Sequence, residues 1–130
     1  MTVKMLRTIT AIVILIASFS ISVFSHFFVK NACSQAISGV DEILENAVTQ
    51  DKEGVNQLCV QLNTIWNKKV FLLNILIGRE YTNEVSKHFN KMVYFSENTD
   101  YDSVITNAEE CKAELVNIIR SNELDLSTIF

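Results

Sequence analysis

A run of apolar side chains near the N-terminus restricts this chain more than any other feature. Thr8 to Val29 reads TITAIVILIASFSISVFSHFFV, 22 residues without a formal charge. At 1.5 Å per residue, a helix of that length covers about 30 Å, the hydrocarbon thickness of a bilayer. Lipid offers the backbone no hydrogen-bond partners, so a single spanning segment has to be helical. Lys4 and Arg7 precede the run, Lys30 follows it, and Asp41, Glu42 and Glu45 come soon after. The positive-inside rule then puts the N-terminus in the cytoplasm and the remainder outside. The expected organisation is a short N-terminus and transmembrane anchor over residues 1–30, followed by an extracytoplasmic domain over residues 31–130.

Two competing readings of the N-terminus exist. A signal peptide could be cut around Ala32 to Ala36, but the run is longer than a usual signal core and ends in Phe27-Phe28-Val29-Lys30 rather than small residues. Lipidation at Cys33 would need Leu and a small residue where Lys30 and Asn31 stand. A retained anchor is the preferred reading. Within it, Ser18, Ser22 and Ser25 fall on one helix face. They either admit a second helix closely or bond their own i−4 carbonyls. His26 is expected near the outer headgroups, with its polar tip reaching water.

Beyond the anchor, turn residues are scarce. Pro is absent and Gly occurs at only three positions, Gly39, Gly54 and Gly78. Hairpins draw on Gly for positive φ, whereas helices lose nothing from its scarcity, so the composition favours an all-α fold. Periodicity agrees. A first helix over about Asn31–Val48 carries Ile37, Val40, Leu44 and Ala47, and can run on directly from the anchor. Asp51 is placed to cap a second helix. That helix carries Val55, Leu58, Leu62, Ile65, Trp66 and Lys69, then continues into VFLLNILI, Val70 to Ile77. The latter stretch is too short to span a bilayer and reads as the buried centre of the domain. Gly78 marks a break. The third helix begins at Glu80 and aligns Tyr81, Val85, His88 or Phe89, Met92 and Phe95. Ser96 to Asp100 reads as a loop, with Thr99 or Asp100 capping a fourth helix that carries Val104, Ala108, Cys111, Leu115, Ile118 and Ile119. The apolar tail Leu124, Leu126, Ile129 and Phe130 is expected to pack back on the domain. A faint repeat at an offset of 49 residues pairs Asp51, Val55, Cys59, Leu62 and Trp66 with Asp100, Val104, Ala108, Cys111 and Leu115. About four helices imply a small helical bundle or stacked αα-hairpins.

Charge excludes one class of partner. Residues 1–30 carry three basic side chains and no acid, for a net +3; the other 8 basic and all 15 acidic side chains lie beyond, for a net −7. An acidic domain repels phosphate backbones, so nucleic acid is not an expected partner. The basic residues Lys4, Arg7 and Lys30 flank the apolar run, where they meet lipid headgroups.

The layout is also familiar. Trp66, the stretch Ile77-Gly-Arg-Glu-Tyr-Thr-Asn-Glu-Val85, and Ser127-Thr-Ile-Phe130 are the residues that carry it. Along nearly its full length the chain resembles a clostridial family of membrane-anchored proteins, domain of unknown function 4363. Its members share a membrane helix, an acid-rich helix, a helix with a central Trp, a short polar motif and an Asn-Ile-Phe-type C-terminus. In that polar motif the family is richer in Asp and His. Glu80 and Glu84 keep the acidic character, while Gly78, Arg79 and Asn83 depart from it. The resemblance implies placement and fold and carries no activity.

Sites for chemistry are few. Glu80, Glu84 and His88 fall at i, i+4 and i+8, a stripe that can ligate a metal or simply form a solvated face paired with Lys87 and Lys91. The three cysteines include no CxxC, and His26 and His88 lie far from them, which disfavours zinc. At most one internal disulfide can form, and Cys59 with Cys111 is the only plausible pair, since Cys33 sits at the membrane exit; buried free thiols, packing as small apolar residues, are the preferred reading. No Ser-His-Asp signature, phosphate-binding Gly loop or HExxH occurs. No cofactor and no enzymatic activity are expected. The expected role is a protein-interaction or structural component of the cell envelope, whose partners are the bilayer and either a second copy or another envelope protein. The alternative is a small-molecule or metal-ion binding, sensory domain acting with a partner.

Overall fold

A computed structural model describes residues 2–49 and 52–129, with side chains given through residue 124 apart from residue 52. Four helices make up nearly all of it: α1 (Val3–Thr49), α2 (Lys52–Ile77), α3 (Arg79–Glu97) and α4 (Tyr101–Ile129). Among the described residues there is no strand. Each helix packs on its neighbours in chain order, and α4 returns to α1. The result is an up-down-up-down four-helix bundle.

α1 is unbroken over 47 residues. The apolar run and the first helix of the outer domain are one element, because nothing between Phe28 and Cys33 interrupts helical geometry. Lys30 and Asn31 are tolerated mid-helix, and no Pro or Gly intervenes. The expected boundary at residue 30 therefore falls inside a helix. Val29, assigned to the anchor by sequence, is 1% exposed and belongs to the bundle core.

Core positions recur at alternating three- and four-residue steps, the spacing that keeps one stripe facing its neighbours in a bundle. α1 contributes Val29, Ala32, Cys33, Ala36, Val40, Ile43 and Ala47. α2 contributes Val55, Cys59, Leu62, Trp66 and Leu73; α4 contributes Val104, Ala108, Cys111, Leu115 and Ile118. The offset-49 pairs described from Val55 to Trp66 and from Val104 to Leu115 all lie in this core, on two helices that run the same way. Trp66 anchors it. Its ring meets Phe89 edge-on at 5.4 Å, and its indole N–H donates to the Ser86 hydroxyl at 2.9 Å. Burying a side chain of this size contributes about 1.5–3 kcal/mol.

The α2–α3 connection is Gly78 alone, at φ 96. That backbone region suits glycine, and a Cβ there would meet nothing within 4 Å, so the requirement is conformational rather than steric. At the α3–α4 turn, Thr99 takes φ 57. Asp100 then caps α4: its carboxylate accepts from the Ser103 N–H at 3.2 Å and from the Ser103 hydroxyl at 2.7 Å.

Several expectations need correction. Val70 to Ile77 is not a buried centre. Only Leu73 is fully buried, while Phe71 is 78% and Ile75 65% exposed. The stretch lies at one end of the bundle, where two neighbouring helices cannot surround it. Ser96 and Glu97 belong to α3 rather than to a loop, and Ser96 is fully buried. Its hydroxyl donates to the Val93 carbonyl at 2.8 Å and accepts from Asn56 Nδ2 at 3.1 Å, which lets a polar side chain close the helix end in the core. On α3, Thr82 is buried where Tyr81 was expected, and on α1 Ile43 replaces Leu44 at the centre of the stripe. Ile65, assigned to the α2 core stripe, is 48% exposed. The cap at Asp51 and the terminal Phe130 lie outside the described residues, as do the side chains of Leu126 and Ile129.

Candidate functional site

A cleft of about 250 Å³ lies between α1 and α2. One wall is built from Ala32, Ala36 and Gly39, whose small size keeps α1 low. The other is Leu58, Leu62 and Ile65, with Trp66 beneath. A Cβ on Gly39 would stand 2.8 Å from Leu62 Cδ1, so the tip of the Leu62 side chain rests directly on the glycine. Across the rim, Lys69 donates to the Gln35 side-chain oxygen at 2.6 Å. The volume lies below the roughly 300–1,000 Å³ usual for small-molecule sites, and no ionisable pair converges on the floor. Geometrically it suits apolar side chains better than a reacting substrate.

The Glu80, Glu84 and His88 stripe is split. Glu80 and Glu84 are exposed, whereas His88 is 8% exposed and turned toward α4. Its Nδ1 lies 3.2 Å from Asn107 Oδ1 and 3.8 Å from the exposed Glu110 carboxylate. The spacing placed three residues on one side of a helix, but α4 claims the third for its own interface. Among the described residues, no three His, Cys, Asp or Glu side chains are grouped to hold a metal ion.

All three cysteines are free and buried, so the Cys59–Cys111 disulfide is absent. Cys59 sits in the α2 stripe beside Ser96, and the thiol that Cys111 senses is Cys33 on α1. Sequence reasoning placed Cys33 at the membrane exit, yet α1 carries it straight into the core. Burial pushes Cys33 and Cys111 up to about 12 and Cys59 up to about 11 from an ordinary 9.0. For Cys33 burial outweighs the nearby Lys69 ammonium, and for Cys111 the Glu114 carboxylate adds to it. Such thiols are not nucleophiles at neutral pH.

In the apolar run, Ser22 donates to the Ser18 carbonyl at 3.0 Å, the local alternative to a helix–helix role. Ser22 and Ser25 are half-buried, and Ser18 is exposed. His26 is half-buried and meets Asn122, which donates to the His26 carbonyl at 3.1 Å and lies 3.1 Å from its Nδ1. Lys30 and Glu123 approach to 4.0 Å just above, and Lys112 pairs with Asp41 at 2.7 Å further along. These α1–α4 contacts carry no periodic signal in the sequence; only the closed ring of helices brings them together. No family model, curated protein or solved structure matches this chain.

Proposed function

We propose that this chain is a single-pass membrane protein held by α1, with the N-terminal side of the span in the cytoplasm and the bundle outside. The bundle then serves as a protein-interaction or structural component of the cell envelope. The surface of α1 carries the reading. From Val3 to Phe27 its large apolar side chains stand in the open, Leu15 at 70% and Ile21 at 64%, whereas from Val29 onward the same helix supplies core. Each Å² of apolar surface left in water costs about 25 cal/mol, and lipid removes that cost. Lys4 and Arg7 at the near end support the inward orientation.

Packing supports retention over cleavage. Val29, Ala32, Cys33 and Ala36 are at most 4% exposed, so a cut between Ala32 and Ala36 would strip part of a packed core. An interaction role is supported by where the polar groups stand. Thr82, His88, Ser96 and Asn107 are buried at helix contacts and bonded to Asn74, Asn107, Val93 and Ser103 respectively, while the cleft floor is apolar. The resemblance to domain of unknown function 4363 belongs to the same proposal.

The test has two stages. A Gln57→Cys variant in intact cells is treated with a maleimide that cannot cross membranes; the native thiols are too buried to compete. Labelling before lysis is expected, and labelling only after lysis would refute the orientation. Crosslinking in intact membranes should then yield a discrete higher-mass species. Recovery of monomer alone with every reagent would remove the interaction role.

A further inference from the structure

At one end of the bundle, exposed apolar side chains gather from three helices. α1 presents Phe24 at 59% and Phe27 at 62%, α2 presents Phe71 at 78% and Ile75 at 65%, and α4 presents Leu124 at 61%. Leu76, Ile77 and Tyr81 at the α2–α3 turn line one hollow with Ser121, Asn122 and Leu124 of α4. Asn122 in turn bonds His26. The turn, the end of α4 and the last turns of the apolar run therefore stand at one level.

We propose that the α2–α3 turn seats in the headgroup layer of the membrane that α1 crosses, so that the bundle rests on the lipid rather than standing clear of it. The proposal rests on the anchor reading above. Continuity with the anchor identifies the occupant: the antiparallel register set at Gly39–Leu62 and Gln35–Lys69 brings Ile75 and Ile77 down beside Phe24 and Phe27, with Phe71 about one turn higher at the level of Lys30, so whatever solvates the end of the apolar run also reaches the α2–α3 turn.

The exposed side of α2 changes character along its length. From Glu53 to Lys68 its exposed residues are mostly polar, Glu53, Gln57, Gln61, Thr64, Asn67 and Lys68, with Val60 and Ile65 the less exposed apolar exceptions; between Phe71 and Ile77 the exposed residues are only Phe71 and Ile75. A face that is polar far from the anchor and apolar beside it is the pattern of an interfacial element. Depth is limited by the polar groups at the same level. Arg79, Glu80 and the Lys30–Glu123 pair are exposed, and the helix ends flanking Gly78 carry backbone groups that need water. The turn therefore lies among headgroups, where Arg79 and Lys30 meet phosphates and Tyr81 spans the boundary. Val29 then faces protein. The hydrocarbon portion of α1 then ends near Val23, below the turn; from Thr8 that is about 24 Å of helix, a shortfall that local thinning of the bilayer accommodates.

Spin labels read this directly. The full chain is reconstituted into vesicles of phosphatidylcholine and phosphatidylglycerol and labelled at single introduced cysteines: Leu15→Cys, Phe71→Cys, Ile75→Cys, Gln57→Cys and Tyr94→Cys. All five positions are exposed, so folding is spared, and the buried native thiols do not take label. Collisions with dissolved oxygen are compared with collisions with a water-soluble nickel chelate. The expected result is a several-fold excess of oxygen at Leu15→Cys, an intermediate excess at Phe71→Cys and Ile75→Cys, and an excess of nickel at Gln57→Cys and Tyr94→Cys. If positions 71 and 75 read as aqueous while position 15 reads as lipid, the seating is wrong and the anchor stands. If position 15 also reads as aqueous, the anchor itself fails. Shielding of 71 and 75 from both reagents would mean that protein covers the turn, which also overturns the proposal.

Discussion

Replacing Gly39 with alanine probes how closely α1 lies on α2. Glycine in a helix interior costs about 1 kcal/mol relative to alanine, so the substitution starts with that gain. Against it, the new methyl group would stand 2.8 Å from Leu62 Cδ1 and 3.3 Å from Cδ2. Those atoms are the far end of a flexible side chain that borders the cleft, so Leu62 has space into which to turn. Displacing a side chain off its preferred rotamer costs on the order of 0.5–1.5 kcal/mol. The two effects nearly cancel, and Gly39→Ala is expected within about 0.5 kcal/mol of the parent, a change in Tm of about 2–4 °C at most. Leu62→Ala removes the obstruction. It should itself cost about 2–3 kcal/mol, the low end for such truncations, because the site already opens on the cleft. In that background Gly39→Ala should recover its full gain of about 1 kcal/mol. Urea unfolding of the full chain in mild detergent, followed by Trp66 fluorescence, measures all four corners of the cycle. A loss above about 1.5 kcal/mol for Gly39→Ala alone would show that Leu62 cannot move. Equal effects in both backgrounds would show that the two residues do not meet.

Three further outcomes are expected. The raised thiol pKa values favour the protonated, folded state, so their contribution is complete below pH 9.0 and is lost as pH rises toward about 11 and 12. Each thiol should remove about 1.4 kcal/mol per pH unit in that window, and a Cys33→Ala variant measured alongside should show a shallower loss between pH 9 and 10.5. Trp66→Ala should destabilise by about 3–5 kcal/mol in urea unfolding followed by circular dichroism, whereas Trp66→Phe should cost far less, because half-buried Ser86 can turn to water; similar losses would contradict the burial of the ring. Asp100→Ala should cost about 1 kcal/mol and Asp100→Asn markedly less, since Asn still caps; no difference between them would mean that the Ser103 contacts contribute nothing.

Local spacing along the chain was enough to place most of the α2 and α4 core stripes, Ile65 excepted, the break at Gly78 and a cap at Thr99 or Asp100, of which the structure uses Asp100. Each depends on neighbours within one or two turns of helix or on a single backbone angle. The length and polarity of Thr8 to Val29 likewise pointed to a helix, because a single segment able to cross lipid must satisfy its own backbone hydrogen bonds. What sits beside what was decided by the ring of helices. Val70 to Ile77 looked like a buried centre because hydropathy counts apolar residues without asking whether a neighbour covers them, and at the end of α2 there is no full set of neighbours. Cys33 was assigned to the exit, which left Cys59 and Cys111 as the one possible pair, yet the continuity of α1 brings Cys33 to Cys111 across an interface 78 residues apart in the chain. His88 followed the same rule: its periodicity allowed it either with Glu80 and Glu84 or on the packed face with Val85 and Met92, and closure of α4 with Asn107 decided for the packed face. Helical period is a local property and survives any arrangement of the helices; the partner of a given face is set by which helix closes against it, and no single helix encodes that.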